Sequence, residues 1–119
     1  MIAVIFEVWP AQGRKDVYLE IAAALRADLD RIDGFISIER FQSMSDPNKL
    51  LSLSFWRDEE AVKNWRIQSN HRESQTKGRS GIFADYRLRV AAVTRDYGLT
   101  ERAEAPNDSR GIHDKQHSR

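Results

Sequence analysis

The chain has no cysteine among its 119 residues and no long apolar run. The absence of cysteine excludes disulfides, thiolate zinc sites, iron–sulfur ligation and cysteine nucleophiles. No apolar stretch approaches the roughly 20 residues that a membrane-spanning helix needs. No basic region precedes the first strand-like run, as it would in a secretory signal. We therefore expect a cytoplasmic protein with no membrane partner.

Net charge is also nearly absent. Nineteen Lys and Arg residues against eighteen Asp and Glu residues leave a formal charge of +1. Proteins that bind the phosphate backbone usually carry a clear basic excess, so we expect no nucleic-acid partner. The length and the 40% hydrophobic fraction suit a single packed domain. From Asp96 onward Gly and Pro lie among scattered charges, which predicts a domain over residues 1–95 and a C-terminal tail or dimer arm over residues 96–119.

The hydrophobic pattern predicts six elements in the order β-α-β-β-α-β. Strands are predicted over residues 2–10, 35–44, 50–56 and 82–94, and helices over residues 16–33 and 58–78, the second with a possible break near residues 69–70. This order is that of the ferredoxin-like α+β fold, a four-stranded antiparallel sheet with helices on one face. In the last strand, alternation groups Phe83 with Arg87 and separates it from Tyr86. The uncovered sheet face is apolar enough to predict a two-fold homodimer that packs sheet on sheet.

The most informative segment runs from Leu50 to Trp65. It is typical of a half-buried strand that leads, with hardly any loop, into a helix with an acidic first turn. Trp56 ends the strand and Trp65 lies on the helix, so two aromatic surfaces are expected near one edge of the sheet. His71 follows closely. The segment predicts a wall for a flat, apolar ligand.

With these features the chain resembles the antibiotic biosynthesis monooxygenase superfamily over most of its length up to the tail. The matching positions are Gly13, Gly34, Phe35, the run from Phe55 to Val62, Trp65 and His71. The resemblance implies a dimeric ferredoxin-like α/β barrel with a pocket between the helices and the sheet of each subunit. It implies no single reaction, because members of the superfamily carry out different chemistry on the same fold.

Two branches of the superfamily match in part. In the branch that degrades heme, Trp65 aligns with a functional tryptophan. However, Phe6 occupies the position of that branch's asparagine, and Gln75 occupies the position of its heme-ligating histidine. In the branch that oxidises anthrones, Trp56 aligns with the tryptophan at the strand end, whereas Ser52 replaces an asparagine. A serine hydroxyl can still donate a hydrogen bond to a substrate oxygen.

A third branch acts on small signalling molecules, and there a histidine after the second helix is common, which His71 resembles. The ordinary pKa of histidine, about 6.5, suits a general base or acid near neutral pH. We interpret the chain as a monooxygenase that needs no cofactor and oxidises a small, flat, oxygenated organic molecule. The alternatives are a heme-binding or heme-degrading protein, and a non-catalytic, stress-associated dimer that binds a ligand.

The expected site has no metal ligand and combines a histidine with aromatic walls. Catalytic roles are predicted for His71 and Trp65. Substrate-binding roles are predicted for Phe6, Ser52, Trp56, Asn64 and Gln75. In this hypothesis, His71 removes a proton from the substrate, and the electron-rich carbanion then reacts directly with oxygen.

Overall fold

The computed structural model describes residues 1–75 and 81–109, and along residues 70–75 it describes the backbone. The elements are β1 (Ile2–Pro10), α1 (Lys15–Ala24), α2 (Arg26–Asp30), β2 (Phe35–Gln42), β3 (Leu50–Trp56), α3 (Glu59–Gln75) and β4 (Phe83–Ala92). Each predicted strand is present, and its ends agree with the prediction to within two residues. The predicted end of the second helix at residue 78 lies outside the described residues.

The strands form one antiparallel sheet in the order β2-β3-β1-β4. This order, with helices between the strands, is the ferredoxin-like α+β arrangement, so the predicted fold class is confirmed. Val8 of β1 and Trp56 of β3 point to the same side of the sheet, where Tyr18 of α1, Leu29 of α2 and Ala61 of α3 pack against them. We call this side the helix-facing side.

The first predicted helix is divided in two, which corrects the prediction of one helix over residues 16–33. Leu25 separates α1 from α2, with φ −80° and ψ −9°. A ψ near zero lies outside the range of a regular α-helix, in which ψ is about −42°. The break allows Tyr18 and Leu29 to pack in different parts of the core. The possible break near residues 69–70 is absent, because α3 continues to Gln75.

A register shift between β1 and β4 corrects the predicted faces of the last strand. The pairing shifts by one residue between Trp9 and Pro10, so that Pro10 pairs with Phe83. Such a bulge changes the face of the sheet to which the side chains beyond it point. The ring of Phe83 lies on the helix-facing side, with its centroid 5.8 Å from that of Tyr18 and 5.8 Å from that of Tyr86. Phe83 therefore does not share a face with the arginines of β4.

The core consists of two clusters at opposite ends of the helix-facing side. The first cluster contains Val8, Tyr18, Leu50 and Ile82. The second contains Leu29, Trp56 and Ala61. Leu50 and Trp56 are the two ends of β3, so the middle of that strand lies between the clusters. This middle zone carries the more polar side chains of the buried face.

Residues 96–109 follow β4 and add no strand to the sheet. Arg102 organises this segment by donating to the carbonyls of Gly98 at 3.0 Å and Ser109 at 3.1 Å. Its guanidinium also lies 5.1 Å from the centroid of the Tyr97 ring. A domain boundary near residue 95 stays a prediction, and residues 110–119 lie outside the described part.

Candidate functional site

The junction between β3 and α3 is held by charged hydrogen bonds. The Arg57 guanidinium donates to both carboxylate oxygens of Asp33 at 3.1 Å, and its Nε donates to Asp58 at 3.1 Å. Asp58 also accepts from the backbone N–H of Ala61 at 3.0 Å and so caps the first turn of α3. These bonds fix the direction in which α3 leaves the sheet, and with it the position of Trp65.

The same contacts keep the junction ionised. The hydrogen bonds and the charge of Arg57 lower the pKa of Asp33 below its ordinary value of 3.8. The pKa of Asp58 is lowered first by the backbone N–H of Ala61 and then by Arg57. Both carboxylates raise the pKa of Arg57, with Asp33 the larger cause. At neutral pH the helix therefore begins with ionised carboxylates, which its dipole favours.

Gly34 brings the loop before β2 close to this junction. Its φ of +92° lies in the region that L-residues with a side chain avoid. Its carbonyl accepts a hydrogen bond of 2.7 Å from the backbone N–H of Arg57. A Cβ at this position would lie 2.8 Å from the Cβ of Ala61. Both the backbone conformation and the lack of space favour glycine here.

Trp56 lies in the core beneath the site. It is 2% exposed, and its ring packs edge-on against Phe35 with the centroids 5.2 Å apart. Its indole N–H donates to the hydroxyl of Ser54 at 2.9 Å. Because its polar atom and nearly all of its surface have protein partners, Trp56 supports the helix-facing side from within. Direct contact with a substrate stays a prediction for this residue.

The predicted site residues of α3 differ in how they are placed. Trp65 is half-buried against the cluster that contains Trp56, whereas Asn64 is exposed. The α3 backbone includes His71 and Gln75, whose side chains lie outside the described part of the structure. At about 100° per residue, the backbone position of His71 is about 120° around the helix axis from Trp65. The roles of Asn64, His71 and Gln75 stay predictions.

Two predicted substrate-binding residues, Phe6 and Ser52, are direct cross-strand partners. They belong to a row across the helix-facing side that consists of Arg40 on β2, Ser52 on β3, Phe6 on β1 and Leu88 on β4. Ser52 is 7% exposed, and Arg40 and Phe6 are half-buried. Cross-strand partners have Cβ atoms about 5 Å apart. The row therefore combines a hydroxyl, a guanidinium and an aromatic ring between the two core clusters.

An aromatic cluster extends from Phe6 toward the edge strand β4. The Phe6 centroid lies 5.9 Å from that of Phe83 and 5.6 Å from that of Tyr86. Phe83 is 41% exposed and Tyr86 is 56% exposed. These rings offer apolar surface to a flat ligand. Sequence reasoning missed Arg40, Phe83 and Tyr86 as site candidates, although the alternation of β4 does group Tyr86 with Leu88.

The described residues contain no group of three or more His, Cys, Asp or Glu side chains that could hold a metal ion. Within the same part of the chain, no helix has the length and apolar character needed to cross a membrane.

The sheet order and the β3–α3 junction define a protein of the ferredoxin-like α+β class with its candidate site on the helix-facing side. The family model for antibiotic biosynthesis monooxygenases matches residues 1–77. The chain therefore belongs to the antibiotic biosynthesis monooxygenase family, and the resemblance predicted from its sequence is confirmed.

Two curated relatives share sequence with this chain. Jasmonate monooxygenase ABM of Pyricularia oryzae is 51% identical over 94 residues, which cover 79% of this chain and 44% of the relative. The protein YqjZ of Bacillus subtilis is 31% identical over 62 residues, which cover 52% of this chain and 53% of the relative. The chain thus spans about half the length of the curated relatives it matches.

Solved structures share the fold at low sequence identity. Rv0793 of Mycobacterium tuberculosis superposes with a TM-score of 0.68 at 15% identity, over 82% of this chain and 98% of that one. The heme-degrader MhuD of Mycobacterium tuberculosis, solved with two hemes bound, gives a TM-score of 0.66 at 13% identity, over 82% and 100%. At these identities the likeness establishes the fold alone.

Proposed function

We propose that this protein is a monooxygenase that oxidises a small, apolar, oxygenated organic molecule on the helix-facing side of its sheet. The observation that carries the proposal is the pairing of Ser52 with Phe6, which puts the hydroxyl of a buried serine beside a cluster of aromatic rings. Small-molecule sites are typically apolar with a few placed polar groups. Membership in the family and the name of the fungal relative support an oxidation.

In the proposed reaction the substrate supplies all the electrons that O2 accepts, so no added reductant is needed. A base removes a proton from a CH2 group beside a carbonyl, and the resulting enolate transfers one electron to O2. The carbon radical and superoxide combine to a peroxide anion, which takes the proton back from the base to give a hydroperoxide. The hydroperoxide then loses water to leave a new carbonyl. The CH2 carbon gives up four electrons, and O2 accepts them, with one oxygen atom entering the product and the other entering water.

The chain supplies residues for binding and for proton transfer in this scheme. We assign the base to His71, since histidine is the side chain whose ordinary pKa, about 6.5, suits general base catalysis near neutral pH. Trp65 and Phe6 hold the apolar part of the substrate, and the Ser52 hydroxyl donates to a substrate oxygen. Asn64 and Gln75 are assigned to the outer part of the same site.

A jasmonate is the first substrate to test, because the fungal relative is named a jasmonate monooxygenase and a jasmonate combines a cyclopentanone with an apolar side chain. Incubation of the protein with jasmonic acid in air-saturated buffer, without reductant, is expected to consume one O2 for each product molecule. Mass spectrometry should show a product that has gained one oxygen atom and lost two hydrogen atoms.

Other outcomes of this experiment point to other functions. Binding without oxygen uptake would support a non-catalytic ligand-binding dimer and contradict the proposal. Oxygen uptake that requires an added reductant would contradict the cofactor-independent route. A shifted Soret band on addition of hemin, together with loss of heme absorbance under a reductant, would favour heme degradation instead.

We also propose that the protein is a two-fold homodimer, in the cytoplasm, that buries the sheet face opposite the helices. The half-buried apolar side chains on this face include Ile5, Leu51, Leu53 and Phe55. Beside them Glu7 forms ion pairs of 3.3 Å with Lys49 and with Arg89. A face that carries both charge signs around an apolar centre can pair with a second copy of itself.

Sedimentation equilibrium tests the dimer. The protein is expected to sediment as a dimer at micromolar concentration, and Leu53→Glu is expected to shift it to a monomer, because an unpaired carboxylate would be buried in the interface. Ile67→Glu is the matched control, since Ile67 of α3 is 56% exposed and away from this face. A monomeric wild-type protein, or an unchanged dimer of Leu53→Glu, would contradict the proposal.

A further inference from the structure

The helix-facing side of β2 has three cations along it, and the middle one differs from its neighbours. Lys15 donates to the side chain of Gln42 at 2.8 Å. Arg26 forms an ion pair of 3.3 Å with Asp30. Between them, the Nε of Arg40 is buried with no hydrogen-bond partner in the structure, and none of the ion pairs among the described residues includes this guanidinium.

Ser52, the cross-strand partner of Arg40, adds a hydroxyl to the same part of the sheet. Two residues further along β3, the Ser54 hydroxyl accepts from the indole N–H of Trp56 at 2.9 Å. Ser52 is almost as buried as Ser54, at 7% against 5% exposed, yet within the described residues its hydroxyl forms no side-chain hydrogen bond. Buried polar groups usually have partners, because leaving one unpaired is unfavourable. The buried Nε of Arg40, which has no partner, indicates a missing acceptor beside Ser52.

The chemistry of these two donors selects the kind of acceptor. A guanidinium presents a planar set of N–H groups that matches the two oxygens of a carboxylate, and a hydroxyl adds a third donor. Phe6 flanks Ser52 on the side away from Arg40, so an apolar body attached to the carboxylate can lie along the aromatic rings. A guanidinium beside an apolar surface suits a carboxylic acid with an apolar body.

We propose that Arg40 and Ser52 form a subsite that binds the carboxylate of a small acid whose apolar body lies against Phe6. The inference rests on the proposed function, since it names the substrate class of that site as cyclic carboxylic acids. Arg40 then orients the substrate and selects it by charge. It does not take part in the oxidation itself.

Calorimetric titration of the full chain with matched acids and esters tests the subsite. The probes are jasmonic acid with methyl jasmonate, and 1-naphthylacetic acid with its methyl ester, so that the result does not depend on one ring system. The wild-type protein is expected to bind at least one acid about 10- to 100-fold more tightly than its ester, as a charged hydrogen bond at a part-buried site predicts. Arg40→Met should remove this preference while leaving the affinity for the ester unchanged.

Three further variants test whether the preference for the acid depends on the guanidinium of Arg40 and on the hydroxyl of Ser52. Arg40→Lys should retain only part of the preference for the acid, because an ammonium cannot form the two parallel hydrogen bonds of a guanidinium. If Arg40→Met does not fold, the comparison of Arg40→Lys with the wild-type protein tests the subsite instead. Ser52→Ala should weaken binding of the acid several-fold. Arg31→Met is the matched control, since Arg31 is an exposed cation at the end of α2 and its loss should leave the preference intact.

The results separate this inference from the proposed function. Equal binding of acid and ester by the wild-type protein, no binding of either acid, or an acid preference that survives in Arg40→Met would overturn the subsite. If the acid binds through Arg40 but no oxygen is consumed, the subsite stands and the monooxygenase proposal fails. If oxygen is consumed and Arg40→Met still prefers the acid over the ester, the monooxygenase proposal stands and the subsite fails.

Discussion

Replacement of Gly34 by Ala is expected to lower the free energy of unfolding by about 2–4 kcal/mol, through a left-handed backbone penalty and overpacking together. The residue has a φ of +92°, and the new Cβ would lie 2.8 Å from the Cβ of Ala61 and 3.3 Å from the guanidinium carbon of Arg57. Both neighbours belong to the junction that sets the direction of α3, so the clash displaces the helix that carries Trp65. Urea unfolding followed by tryptophan fluorescence measures the change in the midpoint.

Gly13 provides the control for this substitution. Its φ of +75° imposes a similar backbone penalty, but no atom lies within 4 Å of the Cβ position. Gly13→Ala should therefore cost about 1–2 kcal/mol, the backbone part alone. If Gly34→Ala and Gly13→Ala were equally stable, the close packing between the loop and α3 would be disproved.

Replacement of His71 by Ala is expected to reduce the turnover of jasmonic acid by about 10²–10⁴-fold, the usual contribution of a general base. The melting temperature should change little, because the backbone of α3 suits alanine at this position. In the wild-type protein kcat should fall in acidic buffer, since a protonated imidazole cannot accept the substrate proton. Oxygen uptake at several pH values measures both effects.

Lys63→Ala is the matched control on the same helix, where Lys63 is exposed. It should leave turnover and its pH profile unchanged. Turnover by His71→Ala at the wild-type rate would remove His71 from the mechanism and require another base.

The strand-to-helix segment shows what sequence alone can determine. The bounds of β3, Leu50–Trp56, were predictable because an alternating apolar segment ends at an acidic cap, and both signals are local. The division of the first helix at Leu25 was not, since its apolar positions continue at helical spacing across the break. The break depends on which core cluster each half contacts, and that is a property of the folded sheet.

The candidate site shows the same limit more clearly. Trp56 and Trp65 were recognisable as an aromatic pair, but only the structure places Trp56 inside the core with its N–H on Ser54. An arginine in a strand normally indicates a solvent-facing position, so Arg40 gave no sequence signal. Its importance depends on the register that pairs it with Ser52 across β2 and β3.

The bulge at Pro10 explains the remaining difference. Alternation along β4 assumes an unbroken register, whereas the shift turns Phe83 to the helix-facing side and into contact with Tyr18. Proline cannot donate to the strand ladder, so a local irregularity there was foreseeable, but its effect on a partner strand more than 70 residues away was not.

We infer that the helix-facing side performs an oxidation in which the substrate itself reduces O2. The most direct measurement is the fate of isotopically labelled O2 with jasmonic acid and the purified full chain, without reductant. We expect one labelled atom in each product molecule and an equal amount of label in water. Oxidised product without label, or no product until a reductant is added, would contradict it.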